Sequence, residues 1–206
     1  MTDLFTSRAL QLRARIRDIC LKIRLSDFGE DGRKAEETIW RRVFHSVMQK
    51  FKRFPEAPTS RATSLMECHF LSAVGFYVNL IHMFSEHGMD VSIIMNAGSE
   101  ARWTSGMENE EVKQAMSHAI HRCLTYIGDS YRYLDELATA SAKSNAIYWY
   151  NKAIIWEPAN GMPFNQVSDP VATVHLSDRD CTLLQLATLM YSNSYGLDAV
   201  YYYLRW

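Results

Sequence analysis

Residues 120–139 read Ile-His-Arg-Cys-Leu-Thr-Tyr-Ile-Gly-Asp-Ser-Tyr-Arg-Tyr-Leu-Asp-Glu-Leu-Ala-Thr. Apolar side chains recur every three or four positions, at Ile120, Leu124, Ile127, Tyr131, Leu134 and Leu137. That spacing predicts a helix with one buried stripe. Arg132 falls outside the stripe, between Tyr131 and Tyr133. Its planar fork of donors can grip an oxyanion through two bonds at once, and a neighbouring tyrosine hydroxyl can add a third donor. Gly128 admits close approach of another segment, at about 1 kcal/mol of helix propensity. Taken alone, the stretch fits a core helix whose arginine pairs with a carboxylate better than it fits an anion site, since most isolated helical arginines are structural or solvated.

The surrounding composition narrows the class. The chain has 206 residues, 48% of them hydrophobic, enough for one domain with a sizeable core. No uninterrupted apolar run approaches the roughly 20 residues of a bilayer span, and no secretory pattern opens the chain. Cys20, Cys68, Cys123 and Cys181 form no Cys-x-x-Cys motif and read as reduced thiols. Net charge is −1, divided unevenly. Residues 1–61 carry 14 Lys/Arg against 8 Asp/Glu, a net +6; the remainder carries 8 against 15, a net −7. Solvated helix faces explain this, as does a basic surface for a phosphorylated or nucleic-acid partner.

Four more helices are expected around the opening stretch. Residues 3–25 alternate Leu4, Leu10, Leu12, Ile16, Ile19, Ile23 and Leu25 with six basic residues. Residues 33–54 present Ile39, Trp40, Val43, Phe44, Val47 and Phe51, and stop before Pro55. Residues 61–87 should bury Leu65, Leu71, Val74, Tyr77, Val78, Ile81 and Phe84. Residues 96–109 are polar and glycine-containing, a loop holding Trp103. The helix bearing Arg132 should run from 110 to 140. Beyond it, Ala146, Tyr150, Ala153 and Pro158 have the offsets of the second helix of a tetratricopeptide repeat. Residues 199–205 echo residues 146–152 at a spacing of 53, although such repeats have a period of 34.

Several of these strings resemble known proteins. Gly128-Asp-Ser-Tyr-Arg132-Tyr-Leu-Asp-Glu-Leu-Ala138 resembles the 14-3-3 helix that carries a phosphoserine-gripping Arg-Tyr pair. With His121-Arg-Cys-Leu124 ahead of it, the string resembles the N-terminal 14-3-3-like domain of the Est/Smg adaptors of nonsense-mediated mRNA decay. Ile39-Trp-Arg-Arg-Val-Phe44, His69-Phe-Leu71, Gly75-Phe-Tyr77 and Asn160-Gly-Met-Pro-Phe-Asn-Gln166 are similar to that family as well. The resemblance implies an all-α array of antiparallel, tetratricopeptide-type hairpins covering nearly the whole chain. In the family, Asn-Gln runs directly into a Leu-x-x-Leu-Ala-like helix. Here residues 167–185 intervene, and removing them restores the 34-residue period. They are read as an insertion, either a retained in-frame intron or a poorly packed surface loop. The array is expected to continue past Trp206, so the single domain spanning 1–206 reads as cut short at its C-terminal end.

The resemblance also implies a ligand. Laid on the 14-3-3 motif, His45 takes the position of a phosphate-binding lysine and Lys52 that of an arginine. Arg132 and Tyr133 complete the set. Residues seven apart point the same way on a helix. Histidine lacks lysine's full charge near neutrality, so a weaker site than that of 14-3-3, tightening at lower pH, is expected. The implied role is an adaptor and not an enzyme, without cofactor. Its expected partners are the phosphorylated Upf-type RNA helicase, a related Smg-seven-type adaptor in a heterodimer and, through the complex, protein phosphatase two A. It is expected in the cytoplasm with passage through the nucleus, away from membranes and without direct RNA binding. A phosphate-independent scaffold and the telomerase- or RNA-binding role of other Est-like proteins are the alternatives.

Other chemistry finds little support. His118 and His121 stand three apart with Cys123 nearby, but no second cluster completes a metal site. There is no Gly-x-Ser-x-Gly, no phosphate-cradling glycine loop and no His-Glu-x-x-His.

Overall fold

The computed structural model describes residues 2–53, 59–91, 109–139 and 141–157, and among these every regular element is helical. A 3-10 turn, Thr2–Phe5, leads into α1, Ser7–Ser26. A long helix follows in three parts: α2, Glu30–Thr38; a π-helical segment, Ile39–His45; and α3, Ser46–Phe51. Then come α4, Ser60–Glu86, α5, Glu110–Glu136, and α6, Ala142–Trp156. Each of α1, α4 and α5 starts where a side-chain oxygen satisfies an otherwise orphaned amide. Thr6 accepts from Ala9 N–H, Thr59 from Ala62 N–H, and Asn109 from Glu111 and Val112 N–H. The loop, insertion and second repeat expected at 96–108 and 158–206 lie outside the described residues.

Helix α5 is the axis of the packing. Met116, Ala119, Ile120, Cys123, Leu124 and Ile127 are all fully buried along it. It runs parallel to the α2–α3 helix: Glu36 meets Arg122, Trp40 stacks on Tyr126, and Lys52 reaches Glu136. It runs antiparallel to α4, where Tyr77 meets Tyr126 and Phe70 meets Tyr133. It runs antiparallel to α6 too, where Tyr150 bonds Asp129 and Trp156 Nε1 donates to the Ser117 carbonyl. Ala146 and Ala153 are buried in the last pair, as small residues at a close helix crossing should be. From Glu36 to Lys52 is sixteen residues, against fourteen from Arg122 to Glu136. The wider turns of the π-helical segment fit more residues into the same length.

Three sequence expectations need correction. On α1, Leu10, Leu12, Ile19 and Ile23 are exposed, while Arg24 is fully buried. Arg24 Nε bonds Glu36 at 3.2 Å, Nη1 donates to the Asp27 carbonyl, and the guanidinium lies over Phe28 and Phe84. A charge is buried here because a carboxylate and two rings receive it. On α4 the buried face is Ala62, Met66, Phe70, Ala73, Tyr77, Leu80, Ile81 and Phe84, leaving Leu65 and Leu71 exposed. Helix α4 is long and apolar enough to cross a bilayer by length and composition, yet this stripe is spent on the core. Finally, α5 ends at Glu136, four residues early. Ala138 and Ser141 have φ of 60° and 63°, and left-handed residues break a helix and turn the chain into α6.

The α1–α2 turn depends on one glycine. A Cβ at Gly32 would lie 1.8 Å from the Asp27 carbonyl oxygen. The Asp27 carboxylate accepts from the Gly29 and Gly32 amides, at 3.0 and 2.8 Å, which holds its pKa below the usual carboxylate range.

Candidate anion-binding site

Lys52 and Arg132 come from different helices and meet over one aromatic ring. Because α2–α3 and α5 run side by side in the same direction, the end of α3 arrives level with the last turn of α5. There the Lys52 ammonium lies 5.5 Å from the centroid of the Tyr133 ring and the Arg132 guanidinium 4.4 Å from it. Tyr133 itself is nearly buried, wedged against Phe70 at 5.2 Å. It therefore contributes first of all an aromatic ring that both cations approach. Burial raises its hydroxyl pKa and Arg132 pulls it back.

His45 also approaches the Tyr133 ring. Its ring stacks on Trp40 at 5.9 Å and faces Tyr133 at 6.0 Å, and one ring nitrogen lies 3.1 Å from Gln49 Nε2. Desolvation lowers its pKa, Asp129 raises it, and Arg132, Lys52 and Arg41 lower it further. The imidazole is accordingly neutral at pH 7 and acts as a hydrogen-bonding group. All four residues singled out in the sequence, His45, Lys52, Arg132 and Tyr133, thus share one neighbourhood.

Three further residues shape the site. Asp129 bonds Arg132 Nη2 at 3.1 Å and accepts from the Tyr150 hydroxyl at 2.8 Å. Glu136 lies 3.4 Å from Arg132 Nη1 and 2.6 Å from Lys52 Nζ. Burial works against the Arg132 charge, but Asp129 and Tyr150 more than offset it, so its pKa stays above the ordinary value. Arg132 Nε is buried without a hydrogen-bond partner. Asp129 and Glu136 stand three before and four after Arg132, a spacing at which helical charges pair. That signal was present in the sequence. Tyr150 belongs to the next helix, and only Gly128 hinted that something would come close.

The other candidate cluster disperses. His118 Nδ1 pairs with Glu157 at 2.8 Å, His121 is buried, and Cys123 is buried with its thiol pKa pushed up. Among the described residues no three His, Cys, Asp or Glu side chains gather as metal ligands.

A helical array in which two helices bring Lys52 and Arg132 to one aromatic ring defines the class, an all-α domain built on helical hairpins. Residues 34–138, which include every site residue on α2–α3 and α5, match the family described as Telomerase activating protein Est1, and the chain belongs to that family. It is 31% identical to Nonsense-mediated mRNA decay factor SMG5 of Danio rerio, over 98% of this chain and 18% of that protein. Identity to the Homo sapiens protein of the same name is 30%, over 98% of this chain and 19% of that protein. Telomerase-binding protein EST1A of Danio rerio is 28% identical, over 96% of this chain and 12% of its own length. The chain spans less than a fifth of each of these relatives.

Proposed function

We propose that this domain is an adaptor of nonsense-mediated mRNA decay that recognises a phosphorylated serine or threonine segment of the Upf-type RNA helicase. One observation carries the reading. Two basic side chains, Lys52 and Arg132, converge from separate helices on the ring of Tyr133, and already hold the two oxygens of one carboxylate between them. A phosphate offers three strong acceptors and nearly two charges to the same groups. The likeness to SMG5 supports the pathway, and the likeness to EST1A supports the wider Est-like setting. By the same analogy the domain pairs with a related Smg-seven-type adaptor and works in the cytoplasm, linking the helicase to phosphatase and degradation machinery.

Matched phosphorylated and unmodified helicase peptides test this. The wild-type chain should prefer the phosphorylated form, and Arg132→Glu should abolish the preference. A phosphate-independent scaffold would bind both forms alike. An RNA-binding role would instead show retention that falls steeply with salt and ignores peptide phosphorylation.

A further inference from the structure

We infer that Glu136 is an internal occupant of the cradle between Lys52 and Arg132, an anion that an incoming ligand must displace, and that it weakens every anionic ligand alike, so that only a phosphate, with its extra charge, binds measurably. The inference rests on the phosphopeptide reading above and concerns the affinity a ligand must bring.

The geometry distinguishes the two carboxylates of the site. Asp129 is the positioning group. It bonds Arg132 at 3.1 Å and is itself tied down by the Tyr150 hydroxyl at 2.8 Å. Its side chain is only 17% exposed. Glu136 is different. It is 34% exposed, its contact with Arg132 is the looser one at 3.4 Å, and its short contact, 2.6 Å, goes to Lys52 on the other helix. It bridges the two cations that a phosphate would bridge. Arg132 does not need it for orientation, because Asp129 and the Tyr133 ring already fix the guanidinium.

Charge then sets that affinity. Lys52 and Arg132 against Asp129 and Glu136 leave the resting cradle neutral. A ligand must swing Glu136 away before it gains both cations. A peptide Asp or Glu would exchange one carboxylate for another and gain nothing electrostatically. A phosphoserine brings nearly twice the charge and a third acceptor oxygen, so it alone has a surplus. The displacement falls equally on every anion. Removing Glu136 should therefore tighten all of them by a similar factor, and bring acidic peptides into measurable range.

The experiment uses the full chain and three peptide libraries, degenerate around a central phosphoserine, glutamate or serine. Proteins compared are wild type, Glu136→Gln, Arg132→Glu and Asp135→Asn. The last removes the same charge from the neighbouring exposed position and controls for long-range repulsion. We expect Glu136→Gln to bind the phosphoserine library at least threefold more tightly than wild type or Asp135→Asn, and the glutamate library to rise by a similar factor. Equal or weaker phosphoserine binding by Glu136→Gln, with Arg132→Glu still abolishing it, overturns the inference and leaves the phosphopeptide reading standing. No preference for phosphoserine over serine in wild type or Glu136→Gln removes the reading, and this inference with it.

Discussion

The ring of Tyr150 occupies the space that any side chain on Gly128 would need. A Cβ there would stand 2.5 Å from Tyr150 Cε1 and 2.9 Å from Cζ. The ring cannot swing clear without breaking its hydroxyl bond to Asp129, the residue that holds Arg132. Packing of α6 on α5 and orientation of the cradle arginine are therefore one arrangement.

Replacing Gly128 with alanine should destabilise the domain by about 1–3 kcal/mol, the usual range for overpacking a filled interior. Urea unfolding would measure it. Adding Tyr150→Ala should recover the steric part, making the double variant more stable than the two single effects added together.

Glu36 is fully buried between two arginines. Arg24 bonds it at 3.2 Å and Arg122 at 2.7 and 3.1 Å. Burial lowers the Arg24 pKa despite that partner. Burial opposes the Arg122 charge as well and is the largest single influence, but the hydrogen bond to Glu36 and its charge, with smaller help from Tyr126 and Cys123, together leave the pKa raised. Glu36→Ala would leave the buried Arg24 and the partly buried Arg122 without their shared carboxylate and should cost about 3–5 kcal/mol. A drop in the urea midpoint of corresponding size, with unchanged slope, is the expected result.

Acid should weaken the fold through His69 and His121. Burial lowers the pKa of each from 6.5 to about 4. The folded protein thus keeps both neutral where the unfolded chain takes up protons. Stability is complete above pH 6.5 and falls as pH drops from 6.5 towards 4, by an amount of order 3 kcal/mol for each histidine. Unfolding measured at pH 7, 5.5 and 4.5 should show this slope, and His69→Gln should flatten it. A flat profile in wild type would count against buried neutral histidines.

His45 limits the charge of the cradle. Its pKa is lowered by burial, so neutral solution leaves it uncharged. His45→Lys should tighten phosphopeptide binding at pH 7.5 by up to about fivefold, the equivalent of roughly 1 kcal/mol for a partly exposed ionic contact. Titration calorimetry at low salt would read it, and the gain should shrink as salt screens the pair.

Local sequence determined much of this protein. Three- and four-residue spacing located every described helix to within a few positions, because an amphipathic stripe is a local property of the chain. Family resemblance drew attention to His45, Lys52, Arg132 and Tyr133. The spacing of Asp129 and Glu136 around Arg132 was also legible, since helical neighbours three and four apart must meet.

Tertiary structure decided the rest. Periodicity cannot say which face of a helix is covered when apolar and basic residues alternate, as on α1. Leu12 and Ile19 face outwards there while Arg24 is buried, because Glu36, Phe28 and Phe84 receive it from other elements. Nor could spacing along either helix show that Lys52 and Arg132 would share Glu136. That contact exists because α2–α3 lies parallel to α5 in one register, and register between helices is set by packing of distant side chains rather than by any local run of sequence.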